Sequence, residues 1–145
     1  MEARIKIDEI EPKAFQAMLG LESYITATEL EPSLKTIIKI RASQINGCAY
    51  CIQMHAEEAR KSGETEQRVY ALAAWKESPL FSELERVVLA VTEELTLIAN
   101  SGLSKETYNK AVAVLGENRL AQCIMQVVTI NAWNRIAVST NLVHD

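Results

Sequence analysis

Apolar residues recur at three- and four-residue intervals along most of the chain, the period of a helix with one buried face. Residues 12–29 open at Pro12 and carry Phe15, Met18, Leu19 and Tyr24 as a loose stripe. A second helix starts with Pro32 in its first turn and sets Leu34, Ile37, Ile38, Arg41 and Ile45 on one face. Asn46-Gly47 breaks it. A third helix is predicted from about Cys48 to Ser62, closed by Gly63 as a left-handed cap, with Glu57 and Lys61 paired four apart on its solvent side. A fourth covers roughly residues 64–77 and stops at Ser78-Pro79.

Ser82 and Glu85 form a capping box. It opens the clearest amphipathic helix, with Leu84, Val87, Val88, Val91, Leu95 and Ile98 on one face, ended by Asn100-Ser101-Gly102. Ser104 caps a short helix that stops near Gly116, and a last helix runs from about Glu117 to Thr140. Between Arg119 and Arg135 that helix has no charge and is apolar all round, which predicts enclosure by the rest of the chain or by a second subunit. No segment alternates as a strand does, so the expected fold is all-α, with about six to seven helices. No linker or repeat divides residues 1–145, which read as a single domain.

Composition agrees. Five Gly and three Pro in 145 residues are too few for a many-turned β architecture. With 48% hydrophobic and 23% charged residues the chain is globular rather than disordered. A net charge of −4 lacks the footprint of a nucleic-acid or anionic-membrane binder. No apolar run is long enough to span a membrane and the N-terminus does not resemble a signal peptide, so the expected location is cytoplasmic.

Three cysteines, two of them in a Cys-x-x-Cys, point in a reducing compartment to redox chemistry or metal binding. Cys48, Cys51 and His55 are spaced three and four apart. On a helical wheel Cys51 lies about 60° and His55 about 20° from Cys48, so all three share one face. Residues three apart on a helix also approach disulfide distance. The pair sits where a helix begins, and unpaired N–H groups and the helix dipole favour a thiolate there. A free thiol is only about 3% ionised at pH 7; lowering its pKa by two units raises that to about 76%, for roughly 2.7 kcal/mol. His55 is placed to take the proton or pair with the anion. The dipole favours Cys48 as the more acidic thiol, and proximity to His55 favours Cys51. A zinc site would use Cys48, Cys51 and His55 with Cys123 or His144 as fourth ligand. A thioredoxin-like motif would need a preceding strand, where this chain has a helix.

The stretch SQINGCAYCIQMHAEEARKSGETEQR, with ERVVLAVTEELT and INAWNR downstream, resembles the carboxymuconolactone decarboxylase superfamily, in its alkyl hydroperoxidase D-like branch. The resemblance covers roughly residues 12–140. It implies a helical fold around a two-helix unit bearing the cysteines, a homo-oligomer (trimer or hexamer), and thiol-dependent reduction of peroxides or disulfides in antioxidant defence. It makes Cys51 the attacking thiolate, Cys48 the resolving thiol and His55 part of the proton relay. It requires no metal, haem or flavin cofactor, and it suggests a lipoyl group, a peroxiredoxin or a small redox protein as reductant. The chain departs from the family pattern at two positions: Thr36 stands where a relay glutamate is usual, and Tyr50 where the peroxidase prototype has a histidine. Both imply slow peroxide reduction or general disulfide reductase activity; Glu31 or Glu93 are the acids considered as substitutes. The alternatives are a cofactor-free lyase acting on a lactone, for which the thiols are incidental, and a non-catalytic zinc-holding or oligomeric module.

Elsewhere, Arg41 on an apolar stripe reads as a snorkelling or interface residue rather than an anion anchor. Trp133-Asn134-Arg135 reads as a satisfied polar cluster in a helix or subunit interface. Cys123 reads as an inert core thiol, His144 as solvated, and Phe15, Tyr24 and Trp75 as core or interface aromatics.

Overall fold

A computed structural model of the chain describes residues 2–143. Among them there is no strand, and the α-helices run in the order α1 (Ile7–Ile10), α2 (Pro12–Ala27), α3 (Pro32–Asn46), α4 (Ala49–Lys61), α5 (Glu66–Ala71), α6 (Glu83–Thr96), α7 (Ile98–Ser101) and α8 (Lys105–Ser139). His144, considered above as a zinc ligand and as a solvated residue, lies outside the described residues.

Helices α3, α6 and α8 pack on one another and enclose the main core. Leu34, Ile37 and Ile38 of α3 meet Val87, Val88 and Val91 of α6 and Leu120, Cys123, Val127 and Ile130 of α8. The local signals that start these helices are met in the structure. Pro12 and Pro32 stand at the first positions of α2 and α3. The capping box is complete: Ser82 Oγ accepts from the Glu85 N–H at 3.2 Å, and the Ser82 N–H donates to Glu85 Oε2 at 2.8 Å.

Some elements differ from expectation. α1 and α7 are single turns with too few residues to show a period. The helix expected over 64–77 is regular only across α5 and tightens into a 3₁₀ turn at Leu72–Ala74. The break at Gly116 is real, at φ 78° and ψ 163°, but no loop follows it, so the two predicted helices join end to end as α8. Ile98 is 60% exposed, because α6 ends at Thr96 and Leu97 turns the chain out of its stripe. Tyr24 and Leu19 are exposed on α2, whereas Trp75 is buried and Phe15 meets Trp133 edge to face at 5.8 Å. Glu57 accepts a hydrogen bond from Gln53 in place of the expected Lys61. The uncharged stretch of α8 is enclosed at Cys123, Gln126, Val127, Thr129 and Ile130, but Val128 is half exposed. Among the described residues no helix is long and apolar enough to cross a membrane.

Candidate functional site

The site begins with the way α3 ends. Gly47 takes a left-handed conformation (φ 66°), which an L-residue with a side chain adopts only at a cost. Its N–H donates to the Gln44 carbonyl at 3.2 Å, and the Cys48 N–H reaches the Ser43 carbonyl at 3.0 Å. This is a Schellman closure, and it delivers Cys48 directly as the N-cap of α4. Cys48 Sγ accepts from the Cys51 N–H at 3.3 Å. The two cysteines form a disulfide with their Cα atoms 5.3 Å apart. They are 2% and 3% exposed, packed with Ala137 of α8 and Tyr50.

Cys51 borders a cavity of about 530 Å³, and Cys48 does not line it. Tyr50, Met54, His55 and Glu58 join Cys51 from α4, Phe15 and Glu22 come from α2, and Lys39 from α3. The end of α8 supplies Trp133, Ile136 and Ala137. Residues 3–8 and Leu142-Val143 close the remaining walls. The N-terminal segment is held there by hydrogen bonds from the Arg4 N–H to the Thr140 carbonyl and from Arg4 Nη1 to the Ser139 carbonyl, both 3.0 Å.

His55 is 8% exposed, and its Nδ1 lies 3.0 Å from Glu58 Oε2. Burial lowers its pKa below 6.5, and the hydrogen bond it donates to Glu58 only partly opposes this. The ring is therefore neutral at pH 7. A carboxylate only accepts, so Nδ1 carries the proton and Nε2 keeps its lone pair. Burial pushes the Glu58 pKa up, but its hydrogen bond with His55 and the charge of Lys39, 3.6 Å away, outweigh that and hold it below the usual carboxylate range. On the far wall, Trp133 Nε1 donates to Glu22 Oε1 at 2.9 Å.

The structure thus brings together Cys48, Cys51 and His55. The acids proposed to replace the usual glutamate lie elsewhere. Glu93 accepts from Arg41, Trp75 and Lys76, and Glu31 pairs with Arg119; neither lines the cavity. Thr36 donates to the Pro32 carbonyl of its own helix. The acid beside the imidazole is Glu58, which sequence reasoning passed over although its spacing of three from His55 puts it on the same face. Arg41 lies outside the cavity in its ion pair with Glu93, 2.9 Å long. Cys123 is remote too: it sits in the main core with its thiol pKa pushed up to about 12 by burial. Among the described residues no three His, Cys, Asp or Glu side chains are grouped to hold a metal.

The family model for the carboxymuconolactone decarboxylase family matches residues 12–94, and the chain belongs to that family. A Bacillus subtilis relative, the uncharacterized protein YdfG, is 37% identical over 139 residues, covering 96% of this chain and 95% of its own. A crystal structure from Agrobacterium tumefaciens, of a protein of unknown function suggested to be an AhpD antioxidant-defence protein, superposes with a TM-score of 0.96 at 35% identity, covering 99% of both chains. The fold is accordingly that of the AhpD-like proteins. The debrominase Bmp8 shares it at a TM-score of 0.83 and 22% identity, covering 94% of this chain and 74% of Bmp8, a likeness of fold alone.

Proposed function

We propose that the protein is a thiol-dependent oxidoreductase that reduces peroxides or disulfides through the Cys48–Cys51 pair. The observation that carries this reading is the placement of Cys51: bonded to Cys48 at a helix start, facing a cavity it shares with a neutral histidine. In the reduced state His55 Nε2 takes the Cys51 proton, directly or through a water. The thiolate attacks the terminal, hydrogen-bearing oxygen of the hydroperoxide, the O–O bond breaks, and the alkoxide leaves as the alcohol with the proton from His55. Cys51 is then a sulfenic acid. The Cys48 thiol condenses with it, releasing water and forming the disulfide. An external dithiol, such as a lipoyl group, a peroxiredoxin or a small redox protein, restores both thiols and is itself oxidised. Glu58 fixes the His55 tautomer; the glutamate that the resemblance places in the proton relay is Thr36 in this chain. The trimer or hexamer, the cytoplasmic location and the single-domain organisation belong to the same proposal.

Intact-mass analysis of the reduced protein after one equivalent of an organic hydroperoxide tests it. The expected product is an intramolecular Cys48–Cys51 disulfide that a dithiol reverses. Cys51→Ser is expected to abolish turnover. Full activity in that variant, or no mass change in the wild type, removes the oxidoreductase reading in favour of a lyase that does not use the thiols.

A further inference from the structure

We propose that Asn134 is a positioning residue for the redox pair: from α8 it clamps the turn that carries Cys48 and keeps that thiol beside Cys51 while the disulfide is open. The proposal rests on the oxidoreductase reading above and deepens it. Asn134 is 1% exposed, and both ends of its amide are engaged. Its Oδ1 accepts from Asn46 Nδ2 at 2.9 Å, and its Nδ2 donates to Ser43 Oγ at 3.0 Å. Those two partners bracket the Schellman closure. Asn46 is the last residue of α3, and Ser43 offers the carbonyl that the Cys48 N–H reaches. Ser43 Oγ donates onward to the Lys39 carbonyl at 2.7 Å, and Asn46 Nδ2 has a second acceptor in Asn131 Oδ1 at 2.9 Å. One turn beyond Asn134, Ala137 packs on the two cysteines themselves. A buried amide is costly unless every group is paired, and a fully paired one specifies a single arrangement.

The arrangement matters once the covalent link is gone. Reduction breaks the S–S bond, takes two electrons and two protons from the external dithiol, and leaves the Cys48 thiol held only by its turn. Closing the bond again passes two electrons and two protons on to the oxidant, the peroxide in turnover or the oxidised form of the dithiol in a redox buffer. The closing equilibrium then depends on how often the Cys48 thiol is presented to Cys51, and a fixed turn raises that effective concentration.

The test is the midpoint potential of the Cys48–Cys51 couple, measured against a dithiol redox buffer in wild type, Asn134→Ala, Asn46→Ala and Ile130→Val. The last variant thins the core on the same helix, away from the turn. The expected result is a less negative potential in both Asn variants and an unchanged one in Ile130→Val. A tenfold fall in the closing constant reads as about 30 mV. Asn46 is partly exposed, so its variant decides the matter should Asn134→Ala fail to fold. Potentials equal to wild type in the folded Asn variants, or an equal shift in Ile130→Val, overturn the proposal and leave the oxidoreductase reading intact. A wild type that forms no reversible disulfide removes both.

Discussion

The residue with the most consequence per atom is His55. Burial lowers its pKa against the hydrogen bond it donates to Glu58, so the folded chain binds a proton there less readily than the unfolded chain does. Its contribution to stability is therefore full above pH 6.5, the value of a free ring, and is lost as the pH falls through the lower folded value. Denaturation midpoints measured above and below pH 6.5 are expected to differ more in wild type than in His55→Gln. In the proposed mechanism the same ring is the general base, and the acid limb of kcat/KM is then expected below pH 6.5. Removing the opposing hydrogen bond in Glu58→Ala is expected to move that limb further toward acid and to lower the rate, because nothing then fixes the tautomer. His55→Gln is expected to cost about 100-fold or more in rate at neutral pH. A limb that stays in place in Glu58→Ala removes Glu58 from the relay.

Among the elements, α8 does the most varied work. It packs against both α3 and α6 in the main core, Thr107 near its start donates to Glu94 of α6, and its end supplies Trp133 and Ala137 to the cavity. The break at Gly116 lets these parts take different directions. Its φ of 78° with ψ of 163° is a region that residues with a Cβ enter only under strain, although no neighbour would obstruct the added atom. Gly116→Ala is therefore expected to cost about 1–3 kcal/mol through the backbone alone, read as a lower Tm. An unchanged Tm would mean that the chain straightens there without loss. Sequence reading found this break from the glycine itself, as it found the capping box at Ser82 and Glu85, because both are local signals. It missed α1 and α7 for the converse reason: four residues are too short for a period, and tertiary packing decides whether they close a turn.

Across the whole molecule two apolar centres divide the labour. The larger holds the fold together and contains Cys123; the smaller consists of Cys48, Cys51 and Ala137, with Tyr50 against it, beside the cavity. Cys123 is closed off in the main core with its thiol pKa pushed up to about 12, whereas Cys51, itself only 3% exposed, borders the cavity; in the reduced protein a thiol-alkylating reagent is therefore expected to reach Cys51 long before Cys123, whose labelling rate reports opening of the core. Mass-mapped labelling under native conditions checks this; equal rates at Cys51 and Cys123 would show that the core opens as readily as the site. The net charge of −4 does not define the site. Of the three carboxylates that line the cavity, Asp8, Glu22 and Glu58, Glu58 is held by His55 and Lys39, and Glu22 by Trp133.

The sequence by itself determined the longer helices, the caps at Pro12, Pro32 and Ser82–Glu85, the nearness of Cys48 to Cys51, and the one-turn spacing of Cys51 and His55. All of these depend on neighbours within about one helical turn, where spacing fixes geometry. Only the tertiary structure decided which acid meets the imidazole and what encloses the sulfurs. Glu22, Lys39, Trp133 and the N-terminal segment are far apart in the chain, and they meet only because α2, α3 and α8 fold against α4. The amide of Asn134 likewise finds Asn46 and Ser43 across nearly ninety residues, and no local pattern encodes an approach of that kind.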